Sequence, residues 1–234
     1  MKVWARRSSG VSRRVAGRKR LKFNRVWVFD LDNTLHNASP HIFPHINRAM
    51  TAYLQTHLGL SEAEAGELRR HYWQRYGATL IGLMRHHATD PQHFLRETHH
   101  FPELASLVVR EPALRATLRR LPGRKLVFSN SPVHYALAVL GALGIADLFD
   151  DVFSIEHTDY RPKPDSYGFL KLFRRNRVRA AACIMVEDTL ENLKTAKKLG
   201  MSTVWVARAA RTPGYVDFSI RSLLQLPRLA WHLR

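Results

Sequence analysis

Short runs of apolar residues recur along this chain, and they constrain its fold more than any other feature. Each run is about five residues long and apolar throughout, rather than at every second position. A strand buried on both faces has this pattern, because helices cover both sides of a parallel sheet. The runs are VWVFD (26–30), KLVFSN (125–130), DVFSIE (151–156), CIMVED (183–188) and STVWVA (202–207).

Helical patterns with clear start and stop signals separate these strands. Ser131 followed by Pro132 predicts an N-cap and a first helical residue, and Gly144 predicts the end of that helix. The helical segment 189–199 is followed by Gly200, a typical left-handed residue after a helix. Alternating strands and helices predict an open α/β fold, with a Rossmann-like parallel sheet and right-handed crossovers.

The stretch 41–112 departs from this alternation, because it contains no convincing strand and has helical patterns throughout. Ser61 and Glu64 fit a capping box, and Gly59 and Gly77 stand where helices should stop. An insertion directly after the first strand should lie above the carboxyl edge of the sheet, where ligands bind in such folds. The predicted organisation is a basic tail (1–21), a core domain (22–40 and 113–234) and an inserted helical cap domain (41–112).

The positive charge is concentrated at the start of the chain. The net charge is +18, and residues 1–25 hold ten Lys or Arg and no acidic residue. Such a segment has little to bury, so it is predicted to be a disordered tail. Four interpretations stay open: a tail without an essential function, a transit peptide, upstream sequence from a misassigned start, or a segment that docks on nucleic acid through phosphate contacts. The composition is Arg-rich and acid-free, as in a transit peptide, but a clear amphipathic pattern is missing.

The single cysteine and the absence of a long apolar run give information about the cellular compartment of the protein. Cys183 stands alone in an apolar run, so it has no partner for an internal disulfide, and a reducing compartment is favoured. No stretch of about eighteen uncharged apolar residues is present, so no membrane span is predicted. These observations favour a cytoplasmic location without a membrane partner; the oligomeric state is open.

Polar side chains follow three of the predicted strands at the point where each strand ends. The carboxyl ends of parallel strands meet at one edge of a sheet, so these side chains are expected to share one crevice. A lysine in the loop RPKPD joins them, because the flanking prolines stiffen its backbone. The candidates are Asp30, Asp32, Ser129, Asn130, Lys163, Glu187 and Asp188.

The three aspartates among these candidates predict a metal site. Like charges within a few ångströms destabilise one another, and a divalent cation is the obvious compensation for Asp30, Asp32 and Asp188. Hard oxygen ligands of this kind suit Mg²⁺. A cation beside Lys163 and Ser129 makes a site for a phosphoryl group, in which one carboxylate attacks in line and another transfers protons.

Four motifs carry a family resemblance. FDLDNTL, FSNS, the Lys163-Pro164 pair and VEDTLENLKTAKKLGM resemble, in order, the motifs of the haloacid dehalogenase superfamily of phosphatases, over residues 26 to about 210. The resemblance implies an insertion of the small-cap type and Mg²⁺ as the cofactor. It implies a nucleophile and metal ligand in Asp30, a general acid/base in Asp32 that also offers its backbone carbonyl to the metal, and a metal ligand in Asp188.

The same resemblance assigns the residues around the phosphoryl group. Ser129 and Lys163 are expected to hold it, with Asn130 as a further substrate-binding residue. Glu187 is expected to be a nearby or outer carboxylate, and Thr34 to maintain the geometry of the loop after the first strand.

Less specific stretches resemble the pyrimidine 5′-nucleotidase subgroup. They are DNTLH, RYGATLIGLM, TDYRPKP and EDTLENLKTAKKLGMSTVWV, although His36 stands where this subgroup often has Tyr. The expected substrate is a small phosphate monoester, preferably a pyrimidine nucleoside 5′-monophosphate. The alternatives are a phosphatase for phosphoglycolate or a sugar phosphate, or a nucleic-acid-associated protein that binds through its tail. Dehalogenation is disfavoured, because it has no need for the proton-transfer group that Asp32 supplies.

Ten of the thirteen histidines lie between His36 and His100. The adjacent pairs, His86-His87 and His99-His100, point to different faces of a helix, and neither pair has the i, i+4 spacing typical of a metal site. These histidines are therefore predicted to be surface residues of the cap rather than metal ligands.

Overall fold

A six-stranded parallel sheet forms the centre of the protein, and its strand order is β3-β2-β1-β4-β5-β6. The computed structural model describes residues 25–207 and 211–230, so the predicted basic tail (1–21) lies outside the described residues. The predicted α/β fold with a Rossmann-like sheet is confirmed. The strands are β1 (Val26–Phe29), β2 (Arg124–Phe128), β3 (Asp151–Phe153), β4 (Cys183–Glu187), β5 (Ser202–Val206) and β6 (Phe218–Ile220).

Six helices lie between β1 and β2, and we call the first five the helical insertion: α1 (Ile42–Leu58), α2 (Glu62–Tyr76), α3 (Thr79–His87), α4 (Pro91–Thr98) and α5 (Leu104–Leu107). The remaining helices are α6 (Leu114–Arg119), α7 (Val133–Leu143), α8 (Ser166–Asn176), α9 (Leu190–Lys198) and α10 (Leu226–Leu229). Among the described residues, no helix is both long enough and apolar enough to cross a membrane.

Alternate residues of β1 enter two separate hydrophobic cores. Trp27 and Phe29 pack into a cluster on one face of the sheet, while Val26 and Val28 pack into a cluster on the other. All four side chains are buried, because successive residues of a strand point to opposite faces and helices cover both of them. This two-sided burial is the physical reason for the uninterrupted apolar run in the sequence.

The helical insertion has a hydrophobic core of its own. Leu54, Leu83 and Phe94 are buried in this core, and Ile155, which follows β3, packs into the same cluster. The contact with Ile155 joins the insertion to the carboxyl side of the sheet. The boundaries of the cap domain at 41 and 112 stay a prediction.

The caps predicted within the insertion are present. Ser61 and Glu64 form a complete capping box at the start of α2. Gly59 and Gly77 end α1 and α2 in the left-handed conformation, with φ of 67° and 79°.

The start of α7 differs from the prediction. Ser131 is not the N-cap; Pro132 occupies that position and the helix begins at Val133. The backbone N–H of Val133 instead donates to the carboxylate of Glu156, at 3.0 Å and 3.1 Å from its two oxygens. A carboxylate at a helix start takes over the capping role, which leaves the hydroxyl of Ser131 for another contact described below.

One strand, β6, was not predicted from the sequence. β6 has only three residues, and its central Ser219 is exposed, so this edge strand forms no apolar run. It extends the sheet by pairing with β5.

Candidate active site

The candidate residues meet at the carboxyl edge of the sheet, as predicted. Phe29, the last residue of β1, is in register with Val127 of β2 and Val186 of β4. The three central strands therefore end nearly level, with Asp30 directly after β1 and Ser129 directly after β2. A cavity of about 690 Å³ separates this edge from the helical insertion, and its volume is within the range of small-molecule sites.

Lys163 is the buried cation of this cavity. Its Nζ donates to Oδ1 of Asp30 at 2.7 Å, to Oε2 of Glu187 at 2.8 Å and to the carbonyl of Phe128 at 2.8 Å. Burial opposes the charge, but the two carboxylates outweigh it and raise the pKa of Lys163. The ammonium group is therefore charged at neutral pH and held in a single place.

Asn130 holds the backbone of Lys163. Its Oδ1 accepts the N–H of Lys163 at 2.7 Å, and its Nδ2 donates to the carbonyl of the same residue at 3.1 Å. The predicted substrate-binding role of Asn130 stays a prediction. The contacts observed make it a positioning residue for the lysine loop.

The carboxylate of Asp32 is surrounded by donors from two parts of the chain. Oδ2 accepts the hydroxyl of Ser131 at 2.7 Å, Oδ1 accepts the hydroxyl of Tyr135 at 2.6 Å, and Nε2 of His36 lies 3.0 Å from Oδ1. Burial alone would raise the pKa of Asp32, but the bond and charge of His36, followed by Tyr135 and Ser131, lower it. Asp32 is thus held in its ionised, proton-accepting form.

Tyr135 was missed by sequence reasoning. It lies in the apolar helix α7, where a tyrosine is most simply a packing residue, and its side chain is indeed buried. Only the position of its hydroxyl against Asp32 reveals a polar role. The pKa of Tyr135 is raised, by burial first and then by the charge of Asp32, so it remains a hydrogen-bond donor.

The loop after β1 is held by Asn33. Asn33 has a φ of 60°, and its Oδ1 accepts the N–H of Ala38 at 3.0 Å and both the N–H and the hydroxyl of Ser39 at 3.2 Å and 3.1 Å. Thr34, for which the resemblance implied this role, is buried, and its hydroxyl has no hydrogen-bond partner among the described residues.

Three carboxylates form the acidic cluster of the site. Ligand atoms of Asp30, Glu187 and Asp188 lie within 4.8 Å of one another. The charge argument placed Asp32 in this cluster with Asp30 and Asp188. The structure turns the side chain of Asp32 toward Ser131 and puts Glu187 in the cluster.

Glu187 is already engaged by four donors. Its Oε2 accepts from Lys163 and from Nδ2 of Asn192 at 3.0 Å. Its Oε1 accepts the N–H groups of Asp188 and Thr189, both at 3.2 Å, at the start of α9. Glu187 therefore positions the lysine and the helix, and it leaves Asp30 and Asp188 as the carboxylates best able to hold a metal.

The charge balance of the cluster favours a divalent cation. Burial raises the pKa of Asp30 to about 7, the charge of Glu187 adds to the rise, and Lys163 opposes it. The pKa values of Glu187 and Asp188 are also raised, chiefly by burial. Three carboxylates face one ammonium group, and hard oxygen ligands with excess negative charge fit Mg²⁺.

Comparison with known proteins places this architecture among hydrolases. The sequence is 27% identical over 201 residues to phosphate metabolism protein 8 of Saccharomyces cerevisiae, covering 77% of this chain and 60% of the yeast protein. The chain thus spans about 60% of the length of that relative.

Solved structures share the fold. A HAD phosphatase from Thermococcus onnurineus superposes with a TM-score of 0.63 and 25% identity, covering 88% of this chain and 97% of that one. The L-2-haloacid dehalogenase of Xanthobacter autotrophicus, crystallised with chloropropionic acid covalently bound, superposes with a TM-score of 0.59 and 18% identity over 90% and 99% of the chains. The sequence profile of haloacid dehalogenase-like hydrolases matches residues 25–200, and this chain belongs to that family.

Proposed function

We propose that this hydrolase is a Mg²⁺-dependent phosphomonoesterase that works through an aspartyl-phosphate on Asp30. The contact between Asp30 and Lys163 is the observation that carries the proposal. Lys163 holds Oδ1 at 2.7 Å, while Oδ2 accepts no hydrogen bond from residues 25–207 or 211–230. One oxygen is fixed and the other is free to attack.

The first displacement forms the covalent intermediate. Oδ2 of Asp30 attacks phosphorus in line, the new O–P bond forms, and the bond to the alcohol oxygen breaks. Lys163 neutralises charge on the transferred oxygens, and Ser129, whose buried hydroxyl lines the cavity, orients the group. Bound between Asp30 and Asp188, Mg²⁺ would supply further charge neutralisation.

The second displacement releases the product. Water attacks the phosphorus of the aspartyl-phosphate, the O–P bond to Asp30 breaks, and inorganic phosphate leaves. Asp32 accepts a proton from the attacking water, a task that its lowered pKa permits. In the first displacement the leaving alcohol needs a proton, and we assign its delivery to Asp32. Asp32 is ionised without substrate, but the negative charge of a phosphate group bound beside it favours the protonated form that this step needs.

Two observations favour phosphate transfer over dehalogenation. A halide leaves without a proton, so dehalogenation has no use for a proton-transfer group in the position of Asp32. The acidic cluster of Asp30, Glu187 and Asp188 requires a cation for charge balance, and a phosphoryl group benefits from that cation. The named phosphatase of Thermococcus onnurineus, 25% identical, supports the same choice.

For the substrate we propose a nucleoside 5′-monophosphate, with preference for a pyrimidine base. The cavity of about 690 Å³ is larger than a two-carbon phosphate such as phosphoglycolate requires, and apolar residues of the helical insertion line it. Another small phosphate, such as a sugar phosphate, is the alternative.

The test is a Mg²⁺-dependent assay of a panel of monophosphates with the wild type and the Asp30→Asn variant. The amide cannot form the acyl-phosphate, so turnover should fall by about 10³-fold or more, while an unchanged unfolding midpoint shows that the variant is folded. Full turnover by Asp30→Asn would overturn the mechanism. Poor turnover of every nucleotide, with good turnover of a sugar phosphate, would overturn the substrate assignment alone.

A further inference from the structure

One face of α2 lines the cavity opposite the catalytic carboxylates. Arg69, Trp73 and Gly77 are spaced i, i+4 and i+8, so they lie on the same side of the helix, and all three line the cavity together with Arg70. We call Arg69, Arg70 and Trp73 the α2 surface. It lines the same cavity as Lys163, and the leaving group of a phosphate held at Lys163 would lie in this cavity.

The two arginines of this surface lack a compensating acid. Among the described residues, neither Arg69 nor Arg70 forms a salt bridge. Burial, and then the charge of Arg70, lower the pKa of Arg69, so the two guanidinium groups repel each other. All acidic residues that line the cavity come from the sheet side, namely Asp30, Asp32, Glu187 and Asp188.

Arg69 is nevertheless held in a defined place. Its Nη1 donates to Oδ1 of Asn47 on α1 at 2.7 Å, and its carbonyl accepts the hydroxyl of Thr79 at 3.2 Å. Its Nε is buried without an acceptor among the described residues. The guanidinium group is therefore pre-positioned through Nη1, and its Nη2, which makes no hydrogen bond within residues 25–207 and 211–230, can still donate to a ligand, as a recognition residue requires.

Trp73 adds a flat apolar face to these donors. Its side chain is 61% exposed, the largest exposure among the large hydrophobic residues described, and Phe43, at 37%, lines the same cavity. Two exposed aromatic residues in one cavity differ from the scattered exposure that protein surfaces normally show. An indole face stacks well against a planar ring.

We infer that the α2 surface recognises the base of the substrate, with Trp73 stacking on the ring and Arg69 and Arg70 donating to its carbonyl oxygens. This inference rests on the proposed phosphatase function and names what that site selects. A second phosphate would satisfy the arginines but would leave the indole face unused. A planar ring with carbonyl oxygens, as in uracil or cytosine, uses all three side chains.

The test compares uridine 5′-monophosphate with ribose 5-phosphate, which has a hydroxyl group in place of the base. Trp73→Leu and Arg69→Met should each lower kcat/KM for the nucleotide about tenfold or more, mainly through KM. Stacking on one base contributes about this much, and so does a hydrogen bond from a charged donor. Both variants should stay within about twofold of the wild type on ribose 5-phosphate. Trp73→Phe should restore most of the nucleotide activity, because it keeps an aromatic face.

Arg75→Met is the matched control. Arg75 is exposed on the same helix and does not line the cavity, so its loss should affect neither substrate. Equal losses on both substrates, or an equal effect of Arg75→Met and Arg69→Met, would overturn the inference. The inference would also be overturned if the wild type had the same kcat/KM for the nucleotide and for ribose 5-phosphate. A sugar bisphosphate is assayed as a third substrate, and a loss of kcat/KM in Arg69→Met with the bisphosphate alone would overturn the inference too.

A failure of the proposed function would look different. If the wild type hydrolyses neither these substrates nor p-nitrophenyl phosphate, the phosphatase proposal fails. Calorimetric binding of uridine 5′-monophosphate to the wild type and to Trp73→Leu then decides the inference. Weaker binding by the variant supports it, and equal or undetectable binding by both overturns it.

Discussion

The side chains of Asn130 and Lys163 show how much of this site depends on individual residues. Lys163 bridges Asp30 and Glu187 at 2.7 Å and 2.8 Å, while Asn130 holds its backbone on both sides. Pairing of this kind offsets part of the cost of burying the charges, whereas removal of one partner leaves another charge uncompensated. The geometry of Asp30, the proposed nucleophile, therefore depends on residues to which the proposal assigns no bond-forming role.

His99 offers a pH-dependent test at the same scale. The surface position predicted for the clustered histidines is wrong for His99, which is buried, as is His36. Burial lowers the pKa of His99 to about 4, although the nearby charge of Asp32 opposes the shift. In the unfolded chain a histidine takes up its proton near pH 6.5. The unfolded state therefore binds more protons between pH 6.5 and 4, and stability decreases as the pH falls through that window.

We expect His99 to account for about 2 kcal/mol of the stability lost between pH 7 and pH 5. His99→Gln should therefore show a smaller loss of unfolding free energy over that interval than the wild type, as measured by urea denaturation. His100→Gln, at the adjacent exposed position, is the control and should keep the slope of the wild type. Identical slopes for wild type and His99→Gln would contradict the expectation.

At the scale of elements, aromatic pairs join the helices of the insertion. The hydroxyl of Tyr72 lies 2.8 Å from Nε2 of His87, and that of Tyr76 lies 2.7 Å from Nε2 of His86, so both pairs connect α2 with α3. Two of the clustered histidines thus have a packing function, and the surface role predicted for them was incomplete. Adjacent histidines bind two different tyrosines because the helix points them in different directions.

Gly82 makes the packing of α3 against α2 testable. It is buried, and a Cβ added there would lie 2.1 Å from Cγ of Tyr72. Gly82→Ala should lower the free energy of unfolding by about 1–3 kcal/mol, because one helix must move away from the other. Chemical denaturation measures the loss.

Gly66→Ala on α2 is the corresponding control. A Cβ at Gly66 meets only the end of the Arg70 side chain, at 3.5 Å. This variant should be neutral or more stable by up to about 1 kcal/mol, since alanine favours a helix interior over glycine. Equal stability of Gly82→Ala and the wild type would contradict the prediction, because it would show that α2 and α3 can move apart without loss of stability.

At the scale of the whole molecule, the cavity separates charge between its two walls. The sheet contributes the acidic cluster with Lys163, and α2 contributes Arg69 and Arg70. Because a parallel sheet aligns the ends of its strands, Asp30 after β1 meets Glu187 and Asp188 at the end of β4, although they lie far from it in the sequence. The excess negative charge near Asp30 makes metal binding and stability interdependent.

Removal of divalent metal should therefore destabilise the protein. We expect Mg²⁺ at about 100 times its Kd to stabilise the fold by about 2.7 kcal/mol relative to protein in a chelator, seen as a higher Tm. Asp188→Asn should abolish this gain, because it removes a proposed ligand. Glu97→Gln, a loss of one exposed carboxylate from α4, should keep it; the same Mg²⁺ effect in Asp188→Asn and the wild type would contradict the assignment.

Much of the fold could be predicted because its signals are local. The apolar runs, the capping box at Ser61 and the glycines that end α1 and α2 depend on neighbouring residues only. The edge strand β6 and the start of α7 could not be predicted, because pairing with β5 and the distant Glu156 decide them.

The sequence by itself determined the α/β sheet, the helical insertion and the set of polar residues at the strand ends, because periodicity and motif spacing are properties of adjacent residues. Only the tertiary structure decided which of these side chains meet. Tyr135 binds Asp32 across 103 positions of the chain, Glu187 rather than the Asp32 carboxylate joins the acidic cluster, and Arg69 and Trp73 face the cavity. Such contacts depend on side-chain direction and on packing between distant elements, and no local pattern records them.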